Sequence, residues 1–112
     1  MSVSLYYSAA RALPLTEAET AEVGRIVAGH LEAFPFEDEE SLYLYDRTTE
    51  PDDILDGSTK LPYEWERVMP VLDHVLASVT ALRRAIPGAE WRVHIEDDDV
   101  PWDEAEGYVL SE

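Results

Sequence analysis

Apolar and polar positions follow two rhythms along this chain, and the rhythms predict its elements. Over residues 3–8, Val3, Leu5 and Tyr7 alternate with Ser4, Tyr6 and Ser8, the period of a strand with one buried face. Pro14 closes the linking segment. A helix is predicted from Thr16, because Thr16 and Glu19 have capping-box spacing and Glu17 and Glu19 suit the positive end of a helix dipole. Val23, Ile26, Val27, His30, Leu31 and Phe34 then recur at helical spacing and predict one core-facing stripe, ended by Pro35. Gly24 and Gly29 weaken this helix by about 1 kcal/mol each relative to Ala. A close approach to the sheet is the packing reason considered for them.

Residues 41–46 read as a second strand, with Leu42 and Leu44 on one face and Tyr43 and Tyr45 on the other. Residues 48–53 read as a loop, and Asp56-Gly57 as the turn of a small hairpin between two short mixed runs. Pro62 suits the first position of a helical turn. Trp65, Val68, Leu72, Val75, Leu76, Val79, Leu82 and Ile86 follow at spacings of three and four, the strongest periodic signal in the chain. Pro70 lies inside that run and costs an interior helix about 3 kcal/mol. Either a break near Met69 with the main helix from Pro70 to Ala85, or a kink, is therefore expected. Residues 90–96 alternate as a strand, and Gly107 begins a short edge strand reaching Leu110. The order predicts an α+β fold: two helices packed on one face of a mostly antiparallel sheet of about four to six strands, in one domain.

Charge changes this ordinary picture. Among 112 residues, 25 acids face 8 Lys and Arg, a formal net charge of −17. Direct nucleic-acid binding and anionic membrane surfaces are thereby disfavoured, since both need a basic footprint. Cysteine is absent, which excludes disulfides, thiolate metal sites and thiol nucleophiles. No apolar run reaches the ~20 residues of a membrane span, and the N-terminal residues do not read as a signal peptide. A soluble, cytoplasmic protein is expected. The acids are unevenly placed: residues 91–112 and residues 37–60 each carry a net −7, whereas residues 61–90 are nearly balanced. Solubility needs a net charge of only about 2–8 for a small domain. The excess costs stability through self-repulsion, so a partner is the natural beneficiary.

Candidate chemistry is sparse. His94 and Glu96 share a strand face and could hold a metal or pass a proton, but His30, His74 and His94 each stand alone, without a metal-binding or nucleophile motif. Seven carboxylates between Glu96 and Glu106 lack the alternation and central glycine of an EF-hand. No catalytic signature is visible, so neither an enzyme nor a cofactor is expected. Acids interleaved with aromatics carry more meaning. Glu37, Asp38, Glu39 and Glu40 precede Tyr43 and Tyr45, while Asp97, Asp98, Asp99, Asp103 and Glu104 surround Trp102. Aromatic anchors ringed by carboxylates have the composition of an interface for a basic protein.

In size, acidity, lack of cysteine and lack of catalytic motif, and in the terminal strand Trp91-Arg92-Val93-His94-Ile95 followed by Asp99-Val100-Pro101-Trp102-Asp103-Glu104, the chain resembles bacterial immunity proteins, small cytoplasmic inhibitors of toxins. That class spans many unrelated folds, so no residue roles transfer from it. The resemblance implies a mechanism in which an acidic face plugs the basic active site of a toxin or nuclease-like enzyme. The rival expectations are an accessory or regulatory domain that is acidic for solubility, and a metal-binding protein or enzyme using His94 and Glu96.

Overall fold

The computed structural model describes residues 3–34, 36–37, 39–45 and 52–108. The expectations for Pro35, Asp38, Asp46, most of the 48–53 loop and the strand's extension to Leu110 fall outside these residues. The elements run β1 (Ser4–Ala10), α1 (Glu17–Ala33), β2 (Asp53–Lys60), α2 (Trp65–Ala85), β3 (Glu90–Ile95), β4 (Asp98–Asp99), β5 (Trp102–Asp103) and β6 (Gly107–Tyr108). The fold is α+β, as predicted: an antiparallel sheet of order β2-β1-β3-β4, a separate β5-β6 ribbon, and two helices against the sheet.

The register decides which residues face inward. Leu5, Tyr7 and Ala9 of β1 sit opposite Thr59, Gly57 and Leu55 on one side and opposite Ile95, Val93 and Trp91 on the other. This face meets Leu72, Val75, Leu76, Val79 and Leu82 of α2, together with Val23 of α1, in one apolar cluster. Each fully buried Leu or Val contributes roughly 1.5–3 kcal/mol relative to exposure. The opposite face presents Tyr6, Ser8, Ser58, Asp56 and His94.

The α1 capping box forms as read: Thr16 Oγ1 accepts from the Glu19 amide at 3.1 Å, and Glu19 Oε1 accepts from the Thr16 amide at 2.9 Å. The Glu19 carboxylate also takes both Nη groups of Arg11, whose Nη atoms further donate to the Pro14 and Pro87 carbonyls. These bonds hold the Glu19 carboxyl down at about 2, with the Arg11 hydrogen bond the largest cause.

Four expectations are corrected. Asp56-Gly57 is no turn but the middle of β2, because a third chain segment covers its outer edge and supplies pairing that a hairpin would have had to provide. The second strand shrinks to a single bridge, Leu44 to Gly57. Gly24 and Gly29 approach nothing: a methyl added at either would meet open space. Leu31 and Trp65 leave their stripes for solvent, Trp65 at 79% exposure. Of the two outcomes expected at Pro70, the break does not occur: α2 runs through it. Pro70 lies in the second turn, so it deletes only one backbone bond, to the Glu66 carbonyl, and the apolar stripe beyond it packs into the core. The Gly107 strand pairs with β5 and not with the main sheet.

Candidate functional site

The segment at residues 41–45 is a strap laid along the free edge of β2. The Tyr45 amide donates to the Asp56 carbonyl at 2.8 Å, and the Ser58 amide to the Tyr43 carbonyl at 3.2 Å. Two buried side chains pin it from below. The Tyr43 amide donates to Tyr7 Oη at 2.9 Å, and that hydroxyl lies 2.9 Å from Thr59 Oγ1, which donates to the Ser41 carbonyl. Burial pushes the Tyr7 hydroxyl up to about 12. The Leu42 amide donates to His30 Nε2 at 3.0 Å, which fixes that nitrogen as the acceptor and leaves Nδ1–H for Ser78 Oγ at 2.8 Å. The His30 ring is therefore neutral. Burial, then the nearby His74, depress it to about 4. Gly57 permits the strap's approach, because a Cβ there would lie 2.2 Å from the Tyr43 carbonyl oxygen and 2.5 Å from the Tyr7 ring.

The strap delivers its acidic approach to one end of the sheet. Glu40 Oε1 accepts from the Lys60 amide at 3.0 Å, at the last residue of β2. Lys60 sits opposite Ser4, and the Ser4 amide donates to Glu96 Oε1 at 3.1 Å. Glu96 and Asp97 form the two-residue loop joining β3 to β4. Glu96 holds φ +51 there, the positive φ such hairpin loops require. The two acidic stretches thus meet across two strand spacings, about 10 Å.

Two exposed aromatics follow this end in the chain, and periodicity misassigned one of them, Trp65, to the core. Only Leu61, Pro62, Tyr63 and Glu64 separate β2 from α2, so Tyr63 and Trp65 follow Lys60 closely in the chain, exposed by 74% and 79%. The Lys60 ammonium lies over the Tyr63 ring at 5.3 Å, and Arg67 of α2 pairs with Glu39 at 3.1 Å. Trp65 opens the helix, flanked by Glu64 and Glu66. A stripe's first member is the one least fixed by helical spacing, and alternation of aromatic and acid in Tyr63-Glu64-Trp65-Glu66 was the signal available for it. Tyr43 and Tyr45, 57% and 42% exposed, stand on the outer side of the strap with ring centroids 5.8 Å apart. Glu37 lies exposed in the turn before the strap.

The remaining candidates separate from this end. Asp98 and Asp99 lie on β4, opposite Ile95 and His94. Trp102, Asp103 and Glu104 belong to the β5-β6 ribbon, which sits on the last turns of α2. There the Tyr108 amide donates to Thr80 Oγ1, and Arg84 donates to the Glu104 carbonyl. Trp65 and Thr80 are about 22 Å apart along a helix rising 1.5 Å per residue. Trp102 is half-buried, with the Arg83 guanidinium 4.0 Å over its ring and Tyr108 against its edge. Asp103 Oδ1 caps its own turn by accepting from the Ala105 and Glu106 amides, which holds its carboxyl low.

His94 and Glu96 do not converge on a common ligand. His94 Nδ1 donates to the Glu96 carbonyl at 2.6 Å while its ring stacks on Tyr6, and the Glu96 carboxylate turns to Ser4. Among the described residues, no group of three or more His, Asp or Glu is gathered as a metal ion would need. No helix among them is long and apolar enough to cross a membrane. Comparison with protein-family models, curated proteins and solved structures finds no match to this chain.

Proposed function

We propose that this protein is a non-enzymatic, protein-binding inhibitor of the immunity type, and that its acidic sheet end docks in the basic active-site cleft of a toxin or nuclease-like enzyme. The observation that carries this reading is the meeting of Glu39 and Glu40 with the Glu96-Asp97 loop at one end, with exposed Tyr63 against Lys60 there and exposed Trp65 two residues further along the chain. Carboxylates at that end would stand where substrate phosphates stand, and clustered like charge speeds encounter with a basic cleft. Exposed Trp and Tyr supply the desolvated contacts that hold a complex once formed. Three of these carboxylates, on Glu39, Glu40 and Glu96, are tied to Arg67 or to main-chain amides, so part of the charge is held in place before binding.

The test begins with the tagged protein immobilised in source-cell extract and washed with rising salt. A basic protein held at low salt and shed at high salt is purified, and its own activity is assayed with the inhibitor at increasing molar ratio. Stoichiometric inhibition, with association slowing as salt rises, supports the reading. Binding that ignores salt, or that leaves the partner's activity intact, favours the accessory-domain alternative.

A further inference from the structure

A second feature lies toward the other end of the strands from Ser4 and Glu96, where Ala10 of β1 pairs with Glu90 of β3. β4 pairs only with His94 and Ile95, and once the Val100 amide has bonded the Val93 carbonyl at 2.9 Å the chain leaves for the β5-β6 ribbon. Beside the first half of β3 lies a cavity of about 670 Å³, lined by Trp91 and Arg92 of β3, Trp102 and Tyr108 of the ribbon and Arg83 of α2. That volume falls within the ~300–1,000 Å³ of small-molecule sites.

The cavity gathers donors that lack acceptors. The indole N–H groups of Trp91 and Trp102 are buried without a hydrogen-bond partner, and among the described residues they are the only buried side-chain nitrogens or oxygens so left. Orphan buried donors are rare because each forfeits its bond to water. Both indoles belong to side chains that line this one cavity. Arg83 is half-buried there, its guanidinium 4.0 Å over the Trp102 ring and one Nη donating to Tyr108 Oη at 2.9 Å. Its other donors bond no described residue. In a chain with 25 acids, neither Arg83 nor Arg92 pairs with a carboxylate among the described residues.

We propose that this cavity binds a small organic monocarboxylate, which accepts from the Arg83 guanidinium and the orphan indole donors and lays its apolar body among the rings of Trp91, Trp102 and Tyr108. Water satisfies neutral donors, but it leaves a half-buried guanidinium without a counter-charge, and a carboxylate matches the fork of that group. Asp53, Glu90 and Asp99 line the same cavity, so a single negative charge enters more readily than the near-double charge of a phosphate. The net charge of −17 opposes an anion at long range, but solvent-exposed charges beyond about 8 Å are screened at physiological salt. The inference does not depend on the docking reading of the acidic end.

The experiment titrates the ¹⁵N-labelled full chain with 3-phenylpropionate, with its neutral amide, and with inorganic phosphate, and follows the indole N–H resonances. The chain has three tryptophans, and Trp65, 79% exposed, is the reference within the same molecule. The expected result is saturable downfield movement of the Trp91 and Trp102 resonances and none at Trp65, with the amide and phosphate about tenfold weaker or worse. Arg83→Gln should weaken phenylpropionate binding by about tenfold or more, and Trp91→Phe, which keeps a ring but loses the donor, by about threefold. Asp97→Asn should leave it unchanged. Arg83→Gln also gives up the bond to Tyr108, so Trp91→Phe decides the matter if that variant does not fold. Indole resonances that stay still, shifts that do not saturate, an equal response to the amide, or binding indifferent to the folded variants overturns the inference. Tighter binding of phosphate than of phenylpropionate overturns the choice of a monocarboxylate.

Discussion

Glu40 and Glu96, distant in the chain, close the same end of the sheet, each by accepting a main-chain hydrogen bond from one of two residues that face each other across β2 and β1. The Lys60 amide reaches Glu40 and the Ser4 amide reaches Glu96. Their roles are therefore double. They hold strand ends, and they fix negative charge where a partner would meet it.

Asp97, Asp98 and Asp99, by contrast, are exposed, and among the described residues no main-chain amide is bonded to their carboxylates. Converting all three to Asn should slow association with the basic partner several-fold at low salt and shift the melting temperature little. Stopped-flow association across a salt series checks this. An unchanged rate at low salt removes electrostatic steering from the account.

Trp65→Ala should separate binding from folding. At 79% exposure its loss should change stability by no more than about 0.5 kcal/mol. As a central anchor it should weaken the complex by at least ~2 kcal/mol, roughly thirtyfold, chiefly through faster dissociation. Surface-bound partner dissociation and chemical denaturation measure the two effects on one sample.

Acid should unfold the protein in two ranges. His30 is depressed from 6.5 to about 4 by burial and His74, so the unfolded chain takes up its proton first. The stability from keeping it neutral is complete above pH 6.5 and is lost as pH falls toward 4, on the order of 3 kcal/mol in all. Glu19, held at about 2 by Arg11, gives stability that is present above pH 4.5 and lost as pH falls toward 2. Denaturation midpoints from pH 7 to 4 should fall for the natural chain and stay flatter in His30→Gln. Equal slopes would show that His30 is not the group taking up the proton.

The strap should loosen without the fold collapsing when its contacts are cut. Tyr7→Phe removes the acceptor for the Tyr43 amide and should cost about 1–3 kcal/mol. Gly57→Ala forces a Cβ against the Tyr43 carbonyl. In both variants the Tyr45 and Ser58 amides should exchange with deuterium faster, while amides in the buried half of α2 keep their protection. Unaltered exchange at Tyr45 and Ser58 would show that the strap is held by something else.

Helix capping offers a local check. Thr16→Ala should cost about 1 kcal/mol, because it leaves the Glu19 amide without its Oγ1 acceptor. Urea denaturation of the single variant measures it.

Local chemistry was enough to determine much of this protein from its sequence. The Thr16 and Glu19 spacing set where α1 begins. The stripe from Leu72 to Ile86 set α2, and the alternation in residues 3–8 and 90–96 set two adjacent strands, because each signal depends on neighbours within a turn or a pleat. The charge excess and the absence of cysteine were likewise visible at once. Tertiary structure decided what depends on distant segments. Gly57 read as a turn because turn chemistry and close approach use the same residue, and only the strap crossing over β2 distinguishes them. Trp65 read as core because a period cannot say where the partner layer ends. Glu40 and Glu96 became neighbours through strand register, which no local pattern encodes. The acidic end, with the Tyr63 ring against Lys60 there, exists only because three strands and a strap finish together.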